Sequence, residues 1–415
     1  MKKVLSILLS VAMIVLCFAA CGKTDGDKSS TGKAANVKVG FIFLHDENST
    51  YDKNFITAAE EACKKAGVEI LKKTNISETQ ACYDAAAELV DEGCNVIFAD
   101  SFGHEPYVIQ AAKKFPEVQF LHATGTKAHT EGLSNYHNAF ASIYEGRYLA
   151  GVAAGMKLNE MISSGKITAD KAKMGYVGAY TYAEVISGYT SFYLGAKSVC
   201  PSVTMEVPFT GSWYDETAEK EAAQKLINNG CVLISQHADS MGAPTACEAA
   251  GVPNVSYNGS TVSACPNTFI VSSRIDWAPY LEYAIDCVKN GKAIDTDWTG
   301  TLSTGSVVLT DVNTKAAAEG TQAKIDEVKA ELEGGKLHVF DTSAFTVTVS
   351  DSKNKNATVD ADGHLTGYKA DIDSDADNTG DTEVVSDGYF HESEKRSAPC
   401  FDVQIDGITL LDTKF

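Results

Sequence analysis

The chain has 415 residues, 44% of them hydrophobic, and its 35 Lys and Arg against 55 Asp and Glu give a formal net charge of −20 at pH 7. This length allows two or three domains, and the hydrophobic fraction is enough to fill sizeable cores, which excludes wholesale disorder. A charge of −20 repels polyanions, so nucleic-acid binding is excluded as the main task. An anionic membrane surface is an equally poor electrostatic partner.

The N-terminal residues predict export and a lipid anchor. A short basic start precedes the almost entirely apolar run 4–20, which is typical of a signal-peptide core. The run ends in Phe-Ala-Ala directly before Cys21, a pattern that resembles the lipobox of bacterial lipoproteins. We therefore expect a lipoprotein signal peptide over 1–20, lipidation of Cys21 and attachment to the extracytoplasmic face of the bacterial cell membrane. A plain secretory signal cleaved nearby is the alternative.

Residues 21–36 are rich in Gly, Ser, Thr, Lys and Asp, which predicts a flexible tether. From residue 37 onward, short β-branched or aromatic runs alternate with helical stretches. The predicted strands of this first half are 37–44, 68–72, 95–99 and 118–122, and the predicted helices are 52–66, 78–92, 104–115 and a long 139–161. Small residues in the long helix predict close packing against its neighbours. Strands that are apolar on both faces indicate a parallel sheet covered by helices.

The same alternation restarts after residue 172. The predicted strands are 173–177, 203–209, 231–235, 254–257 and 269–272, and the predicted helices are 184–199, 215–229 with Asp215 as its N-cap, 243–250 and 277–290. We therefore predict a two-lobed α/β molecule of parallel sheets flanked by helices. Lobe 1 spans 37–160, completed by about 276–335, and lobe 2 spans 161–275. In such sheets, ligands bind at the carboxyl ends of the strands, which face the cleft.

The C-terminal residues differ in composition. Residues 341–415 contain 16 acidic and 6 basic residues, which is −10, half of the total charge. Apolar patches still alternate within them, so we predict a small, β-rich, acidic C-terminal appendage over 336–415 and not a disordered tail.

Four aspartates in this region have the odd-position oxygen spacing of a calcium loop: Asp371, Asp373, Asp375 and Asp377. The sixth position is Ala376, where the turn of such a loop needs Gly, and the twelfth is Thr382, which has no carboxylate. A solvated acidic turn is therefore favoured over a weak calcium-site candidate, and we predict no metal and no cofactor.

Sequence signatures of catalysis are missing. The chain contains no GxSxG, GxxxxGK[ST], HExxH or GxGxxG motif. We therefore predict that the protein is not an enzyme. Of its 11 cysteines, nine remain after Cys17 and Cys21, and no CxxC pair occurs. Because several lie in Ala-rich helical runs, we expect mostly buried free thiols, with one or two disulfides as the alternative.

The loops that follow the predicted strands combine aromatic rings with amide, hydroxyl and carboxylate groups. Aromatic rings stack on planar ligands and directed hydrogen bonds give specificity, so these loops favour a small, polar, partly planar ligand. Trp213, followed by Asp215, is interpreted as a packing and capping pair. The predicted ligand-binding residues are His45, Asp46, Tyr51, Asp52, Phe55, Ser101, Phe102, Tyr182, Asp239, Asn258 and Trp277, of which Phe55 could equally belong to the core.

Several stretches together resemble the basic membrane protein family. The most specific are Tyr-Glu-Gly-Arg-Tyr-Leu-Ala-Gly at 144–151 and Gly-Ser-Trp-Tyr-Asp at 211–215; the others are 41–55, 99–103, 120–124, 135–155, 175–195 and 277–280. The resemblance covers roughly residues 37–310. It implies a type I periplasmic-binding-protein-like fold and the function of an extracytoplasmic substrate-binding lipoprotein of an ABC importer, whose partners are a permease and an ATPase.

The best understood branch of that family binds purine nucleosides, with the base between aromatic rings. By position, Asp52 and Phe55 match its early acid and aromatic residue, and Asn258 falls where that branch has an Asp facing the sugar. Tyr182 and Tyr189 are candidates for the second stacking aromatic. The resemblance thus implies a purine nucleoside as the first ligand to test. An extracellular sensor that signals to a membrane partner is the alternative function, and a surface hydrolase is a further one.

Overall fold

The structure is a computed structural model that describes residues 37–350, 353–374 and 379–411. The predicted signal peptide, the lipidation site Cys21 and the tether lie outside the described residues. The same holds for Asp375 and Asp377 of the calcium-loop candidate.

Strands and helices alternate along most of the chain. The strands are β1 (Lys38–Ile42), β2 (Glu69–Lys73), β3 (Val96–Ala99), β4 (Gln119–Ala123), β5 (Tyr136–Ala141), β6 (Lys173–Val177), β7 (Thr204–Val207), β8 (Leu233–Gln236), β9 (Asn254–Tyr257), β10 (Phe269–Ile275), β11 (Asp297–Gly300), β12 (Val307–Leu309), β13 (Ala357–Val359), β14 (Leu365–Ala370), β15 (Thr382–Glu383), β16 (Val385–Ser386), β17 (Tyr389–Phe390) and β18 (Ile408–Leu410). The helices are α1 (Thr50–Ala66), α2 (Gln80–Asp91), α3 (Glu105–Lys114), α4 (Ala128–Glu131), α5 (Ile143–Ser163), α6 (Ala183–Val199), α7 (Glu216–Asn228), α8 (Gly242–Ala250), α9 (Ala278–Lys289) and α10 (Thr321–Glu333).

The first sheet has six parallel strands in the order β11-β5-β4-β3-β1-β2. Its central strands bury apolar side chains on both faces. Val39 and Phe41 belong to one hydrophobic cluster with α1, whereas Ile42 and Ile97 belong to another with α2 and α3. This two-sided burial explains why the strands are continuous apolar runs in the sequence.

The second sheet has seven strands in the order β12-β10-β9-β8-β6-β7-β18. All neighbours are parallel except β12, which pairs antiparallel with β10. The prediction of a two-lobed α/β molecule with parallel sheets flanked by helices is confirmed. Residues 276–335 contribute to both sheets, because β11 joins the first and β12 the second.

The long helix predicted over 139–161 is wrong at its N-terminal end. Residues Tyr136–Ala141 form the strand β5, which is buried at every position and pairs with β4 and β11. The helix α5 begins only at Ile143. Ala139 and Ala141 favour a helix by intrinsic propensity, but pairing inside the sheet outweighs that preference.

Helices α5 and α6 pack in direct contact through glycines, as the small residues of the sequence predicted. A Cβ on Gly151 would overlap the carbonyl oxygen of Phe192, and one on Gly195 would overlap that of Tyr148. The absence of side chains at these two positions therefore fixes the distance between the helices.

The C-terminal region is β-rich, as predicted, with a three-stranded sheet β13-β14-β15 and a two-stranded sheet β16-β17. Its core contains stacked rings of Phe340 and Phe401, with centroids 4.1 Å apart. The region also contacts both lobes. The backbone N–H of Ser397 donates to Asp297 Oδ2 beside the first sheet (2.7 Å), and β18 extends the second sheet beside β7.

The nine cysteines within the described ranges are all buried, and none of these nine is in a disulfide. Within the same ranges, no helix combines the length and the apolar character needed to cross a membrane.

Candidate functional site

A cavity lies where the carboxyl ends of strands from both sheets meet. Loops after β1, β3 and β4 form one side, and loops after β6, β7, β8 and β9 form the other. Its walls consist of Leu44, His45, Tyr51, Asp52, Ser101, Phe102, Thr124, Glu184, Trp213, His237, Asp239 and Tyr257.

Asp52 is a fixed carboxylate on the first-sheet side. It lies in the first turn of α1, whose N-cap Ser49 accepts a hydrogen bond from the Asp52 N–H. Asp52 Oδ1 accepts from the backbone N–H of His45 (2.7 Å), and Oδ2 is 3.3 Å from His45 Nδ1. Burial alone would raise the pKa of Asp52, but the hydrogen bonds from His45 and Ser49 outweigh it and leave the pKa below its usual value. Asp52 therefore presents a negative charge at neutral pH.

A second acid, Asp100, is buried next to this wall and forms hydrogen bonds with two of its residues. Its Oδ1 accepts from the backbone N–H of Leu44 (3.1 Å), and its carbonyl oxygen accepts from the Tyr51 hydroxyl (2.8 Å). Burial, and next the charge of Asp52, hold the pKa of Asp100 well above its ordinary value. Two carboxyl groups whose pKa values are shifted in opposite directions therefore lie close together at this wall.

Asp239 is the corresponding acid on the second-sheet side. Its Oδ1 accepts from the Asn258 side-chain amide (3.0 Å), and its carbonyl oxygen accepts from both the N–H and the hydroxyl of Thr50 (3.0 Å each). The latter pair links the two lobes. Burial, followed by the charges of Glu219 and Asp52, raises the pKa of Asp239 well above its ordinary value. This shift favours the protonated form of Asp239 over the charged form.

A chain of hydrogen bonds runs from a buried cation to the cavity wall. Arg147 Nη2 donates to the Tyr176 hydroxyl (2.8 Å), and that hydroxyl lies 3.2 Å from His237 Nδ1. Burial lowers the pKa of His237, so the ring is neutral. Arg147 has only donors and uses a lone pair of the Tyr176 oxygen, so we assign the hydroxyl hydrogen of Tyr176 to His237 Nδ1. His237 Nε2 consequently carries the ring proton and faces Glu184 Oε1, 3.5 Å away.

Aromatic rings line the rest of the cavity. Tyr51 and Tyr257 come from the two opposite lobes, and Trp213 lies with its ring centroid 6.3 Å from that of His237. Phe102 is 37% exposed, unusually high for a large apolar residue of this molecule. The site thus combines planar apolar faces with carboxyl groups.

Two residues at strand ends have a left-handed backbone. Thr124, in the cavity wall after β4, has φ 63°, and Asn258, which lines an adjacent groove after β9, has φ 65°. A β-branched residue such as Thr rarely adopts this conformation, and strain of this kind is concentrated at functional sites. Its presence at the strand ends supports this cavity as the candidate site.

The structure brings six of the predicted ligand-binding residues together in the cavity wall: His45, Tyr51, Asp52, Ser101, Phe102 and Asp239. Tyr182 lies in a neighbouring compartment, and Asn258 lines an adjacent groove while holding Asp239. Asp46 accepts hydrogen bonds from Asn48 within its own turn.

Phe55 and Trp277 do not line the cavity. Both are 1% exposed, and their rings stack with centroids 4.2 Å apart in the hydrophobic core between α1 and α9. Tyr189 is also buried, against the ring of Tyr176. These aromatics lie on inward helix faces, where packing and ligand contact give the same sequence pattern.

The prediction missed six wall residues: Leu44, Thr124, Glu184, Trp213, His237 and Tyr257. Trp213 was interpreted as a packing residue. Asp215 does cap α7, accepting from the Ala218 N–H (2.9 Å), but Trp213 faces the cavity. His237 lies two residues before Asp239 in a loop that the sequence singled out, so its position after β8 was the available signal.

Among the described residues, no cluster of three or more His, Cys, Asp or Glu side chains could hold a metal ion. Of the calcium-loop candidate, Asp371 and Asp373 are described. Asp371 Oδ1 accepts from the Ser374 N–H (2.8 Å), as in an ordinary capped turn.

A cavity at the carboxyl ends of two parallel sheets, with aromatic and acidic walls, defines a small-molecule-binding protein. Residues 41–336 match the family of ABC transporter substrate-binding proteins described as PnrA-like, and the chain belongs to this family. The family predicted from the sequence resemblance is thus confirmed. The family consists of substrate-binding proteins, not enzymes, and is extracytoplasmic.

Individual relatives agree with this assignment. A purine-binding protein of Brucella abortus is 31% identical over 310 residues, covering 73% of this chain and 83% of the relative. A protein of Haloferax volcanii named a putative ABC transporter glucose-binding protein is 27% identical over 332 residues, covering 78% of each chain. The solved structure of a solute-binding protein from Conexibacter woesei has a TM-score of 0.60 at 20% identity, covering 73% of this chain and 98% of that one. The last similarity shows the fold.

Proposed function

We propose that this protein captures a purine nucleoside in the cavity between its lobes and delivers it to the permease of an ABC importer. The observation that carries the proposal is the pairing of aromatic faces with acids from both lobes. The rings of Phe102 and Trp213 suit a purine base, while the carboxyl groups of Asp52 and Asp239 suit the donor hydroxyls of a ribose.

The relatives support the two halves of this ligand separately. One is named for a purine, the other for glucose, and a nucleoside contains a base and a sugar. The charge of the site also agrees. Asp52 and Glu184 are acidic and face the cavity, so an uncharged ligand with several donors is favoured over an anionic one.

The test is thermal unfolding of the protein lacking residues 1–21 in the presence of nucleosides, nucleobases, sugars and amino acids. A ligand at about a hundredfold over its Kd adds about 2.7 kcal/mol to the free energy of unfolding, which is a readable rise in Tm. A rise with purine nucleosides supports the proposal. A rise with glucose or another free sugar alone replaces the nucleoside with a sugar, and no rise with any nucleoside contradicts the proposed ligand.

Delivery to a permease and attachment through lipidated Cys21 are parts of the same proposal. The Cys21→Ala variant is expected to move from the membrane fraction to the soluble fraction, because it lacks the thiol that receives the lipid. The Cys17→Ala variant, altered inside the signal peptide, is the control and should remain in the membrane fraction. The proposal of a lipid anchor is wrong if both variants fractionate alike.

A further inference from the structure

A second compartment of about 200 Å³ adjoins the cavity. It shares three wall residues with the cavity: Phe102, Thr124 and Glu184. Its outer wall is different in origin, because it includes Ala398 and Pro399 of the C-terminal region. That region lies beyond residue 336, where the family match ends.

The outer wall is held firmly in place. Arg396 is 9% exposed, and its guanidinium donates to the carbonyl oxygens of Ala398 (3.1 Å), Pro399 (3.0 Å) and Ile372 (2.9 Å). The next residue, Ser397, donates its N–H to Asp297 Oδ2 beside the first sheet. The wall is therefore a preorganised part of the molecule.

The inner wall has an apolar, aromatic character. Phe102 and Tyr182 are 37% and 41% exposed, and their ring centroids are 5.2 Å apart. Both residues line the compartment. Large rings that remain this accessible in an otherwise well-packed molecule are available to stack on a ligand group.

The charges in the compartment disfavour an anionic occupant. The carboxylate side chain of Glu184 lies in the wall, and the guanidinium of Arg396 is already engaged by main-chain carbonyl oxygens. A phosphate group would therefore meet the Glu184 charge without a free cationic partner.

We propose that this compartment receives an aromatic or other apolar substituent of the ligand whose nucleoside part occupies the cavity, and that the C-terminal region determines specificity by forming its outer wall. The inference rests on the proposed function. It predicts that the protein binds suitably substituted nucleosides more tightly than nucleotides.

The experiment measures Kd by calorimetry for four probes: adenosine, adenosine with a benzyl group at N6, adenosine with a benzyl group on the 5′ oxygen, and adenosine 5′-monophosphate. Two benzyl positions are needed because either end of the nucleoside could face the compartment. We expect one benzyl derivative to bind about tenfold more tightly than adenosine, from stacking and apolar burial, and the monophosphate to bind more weakly.

Two variants test the location. Ala183→Phe fills the compartment from the start of α6, and Tyr182→Ala removes one ring of its wall. Each should reduce the ratio of the adenosine Kd to the benzyl-derivative Kd to about one, and Ala183→Phe should do so while retaining adenosine binding. Ala249→Phe, on an exposed position of α8, is the matched control and should retain the full advantage. Thermal unfolding of each variant verifies that it is folded.

The outcomes separate the two proposals. If adenosine and the benzyl derivatives all fail to bind, the nucleoside function and this inference are both wrong. If adenosine binds but neither benzyl derivative binds more tightly, only the inference is overturned. An advantage that persists in Ala183→Phe and Tyr182→Ala likewise overturns it, because the substituent then lies elsewhere.

Discussion

Arg147 is a fully buried cation whose hydrogen bonds go to hydroxyl and carbonyl groups. Besides Tyr176, it donates to the Ser235 hydroxyl (3.2 Å) and the Gln236 carbonyl (3.3 Å), and its guanidinium lies 4.8 Å from the ring centroid of Tyr257. Hydroxyl dipoles and aromatic faces thus stabilise the charge. Since the same contacts determine which nitrogen of His237 carries the proton, Arg147 acts on the ligand site as a positioning residue.

The variant Tyr176→Phe tests this chain of hydrogen bonds. It leaves an Arg147 donor and His237 Nδ1 without the hydroxyl that joins them, so the proton of the imidazole is no longer held on Nε2. We expect ligand affinity to fall about tenfold and the ¹⁵N chemical shifts of the His237 ring to change. Tyr193→Phe is the control, because that hydroxyl bonds to Val203, away from the cavity. Unchanged ¹⁵N chemical shifts of the His237 ring in Tyr176→Phe would disprove this chain of hydrogen bonds.

Glu145 gives a second prediction at this scale. Burial raises its pKa to about 7 from the ordinary value of 4.5 for a glutamate side chain. Between those values, the folded state keeps a proton that the unfolded state releases, so stability falls as the pH rises through this window. Glu145→Gln removes the free-energy cost of ionising this buried carboxyl group. The variant should therefore be more stable than the unmodified protein at pH 8 by on the order of 1–3 kcal/mol, with little difference near pH 4.5. Denaturant unfolding at both pH values measures the difference.

The control for Glu145→Gln is Glu160→Gln. Glu160 lies on the same helix but is exposed and pairs with Lys157 at the surface. Its replacement should change stability by less than about 1 kcal/mol at either pH. An equal effect of the two substitutions would show that burial of Glu145 is not the cause.

At the scale of elements, the contact between α5 and α6 is the most constrained feature. Backbone lies directly against backbone at Gly151 and Gly195, so the two helices cannot move apart by the width of a methyl group without losing the packing around them. Arg147 and Tyr148 lie on α5 at this contact, and α6 begins beside the cavity. The helix pair therefore holds residues that contact the ligand site in fixed positions.

Gly195→Ala is predicted to destabilise the protein by about 3 kcal/mol, because its Cβ would overlap the Tyr148 carbonyl oxygen. Intrinsic helix propensity alone predicts that Gly195→Ala stabilises the protein, since Ala is the better helix former. Ser198→Ala, at an exposed position of the same helix, should change the free energy of unfolding only slightly. Chemical denaturation distinguishes the two expectations.

The elements also show what the sequence could and could not predict. Continuous apolar runs located strands such as Lys173–Val177 without error, because both faces of each strand are buried. Asp215 was identified as a cap from its local pattern alone. In contrast, β5 was mistaken for helix, since its pairing depends on β4 and β11, which are distant in sequence.

The same limit applies to the site. Strand-end loops indicated His45, Asp52 and Asp239, because chain topology brings the carboxyl ends of parallel strands together. Whether an aromatic residue faces the cavity or the core depends on the angle at which helices pack, so Phe55 and Trp213 could not be assigned from sequence. Nor could the composition of the acidic C-terminal residues predict that Ala398 and Pro399 lie beside Phe102 and Glu184.

At the scale of the whole molecule, the C-terminal region joins the two lobes. It contacts the first sheet at Asp297 and adds β18 to the second. A relative rotation of the lobes that separates these two points must release one of them. The strength of the Asp297 contact therefore influences how readily the cavity opens.

Asp297→Ala is predicted to loosen the C-terminal region. The change removes the acceptor of the Ser397 N–H, and loss of a buried hydrogen bond to a charged group costs about 1.5–3 kcal/mol. Limited proteolysis should cleave within 353–411 at least about tenfold faster than in the unmodified protein. Asp295→Ala, at an exposed neighbouring position, is the control. Equal cleavage rates in the two variants would show that the Asp297 contact does not restrain this region.

The strand β18 has a consequence for self-association. It pairs with β7 over only three residues, Ile408 to Leu410, and occupies hydrogen-bonding groups that would otherwise form an open sheet edge. Strands of other molecules can pair with an open sheet edge. A very short edge strand is one of the ways in which proteins prevent this. A form of the protein shortened before residue 408 would present the longer edge of β7 instead, and dimers or larger aggregates joined through that edge would compete with the monomer.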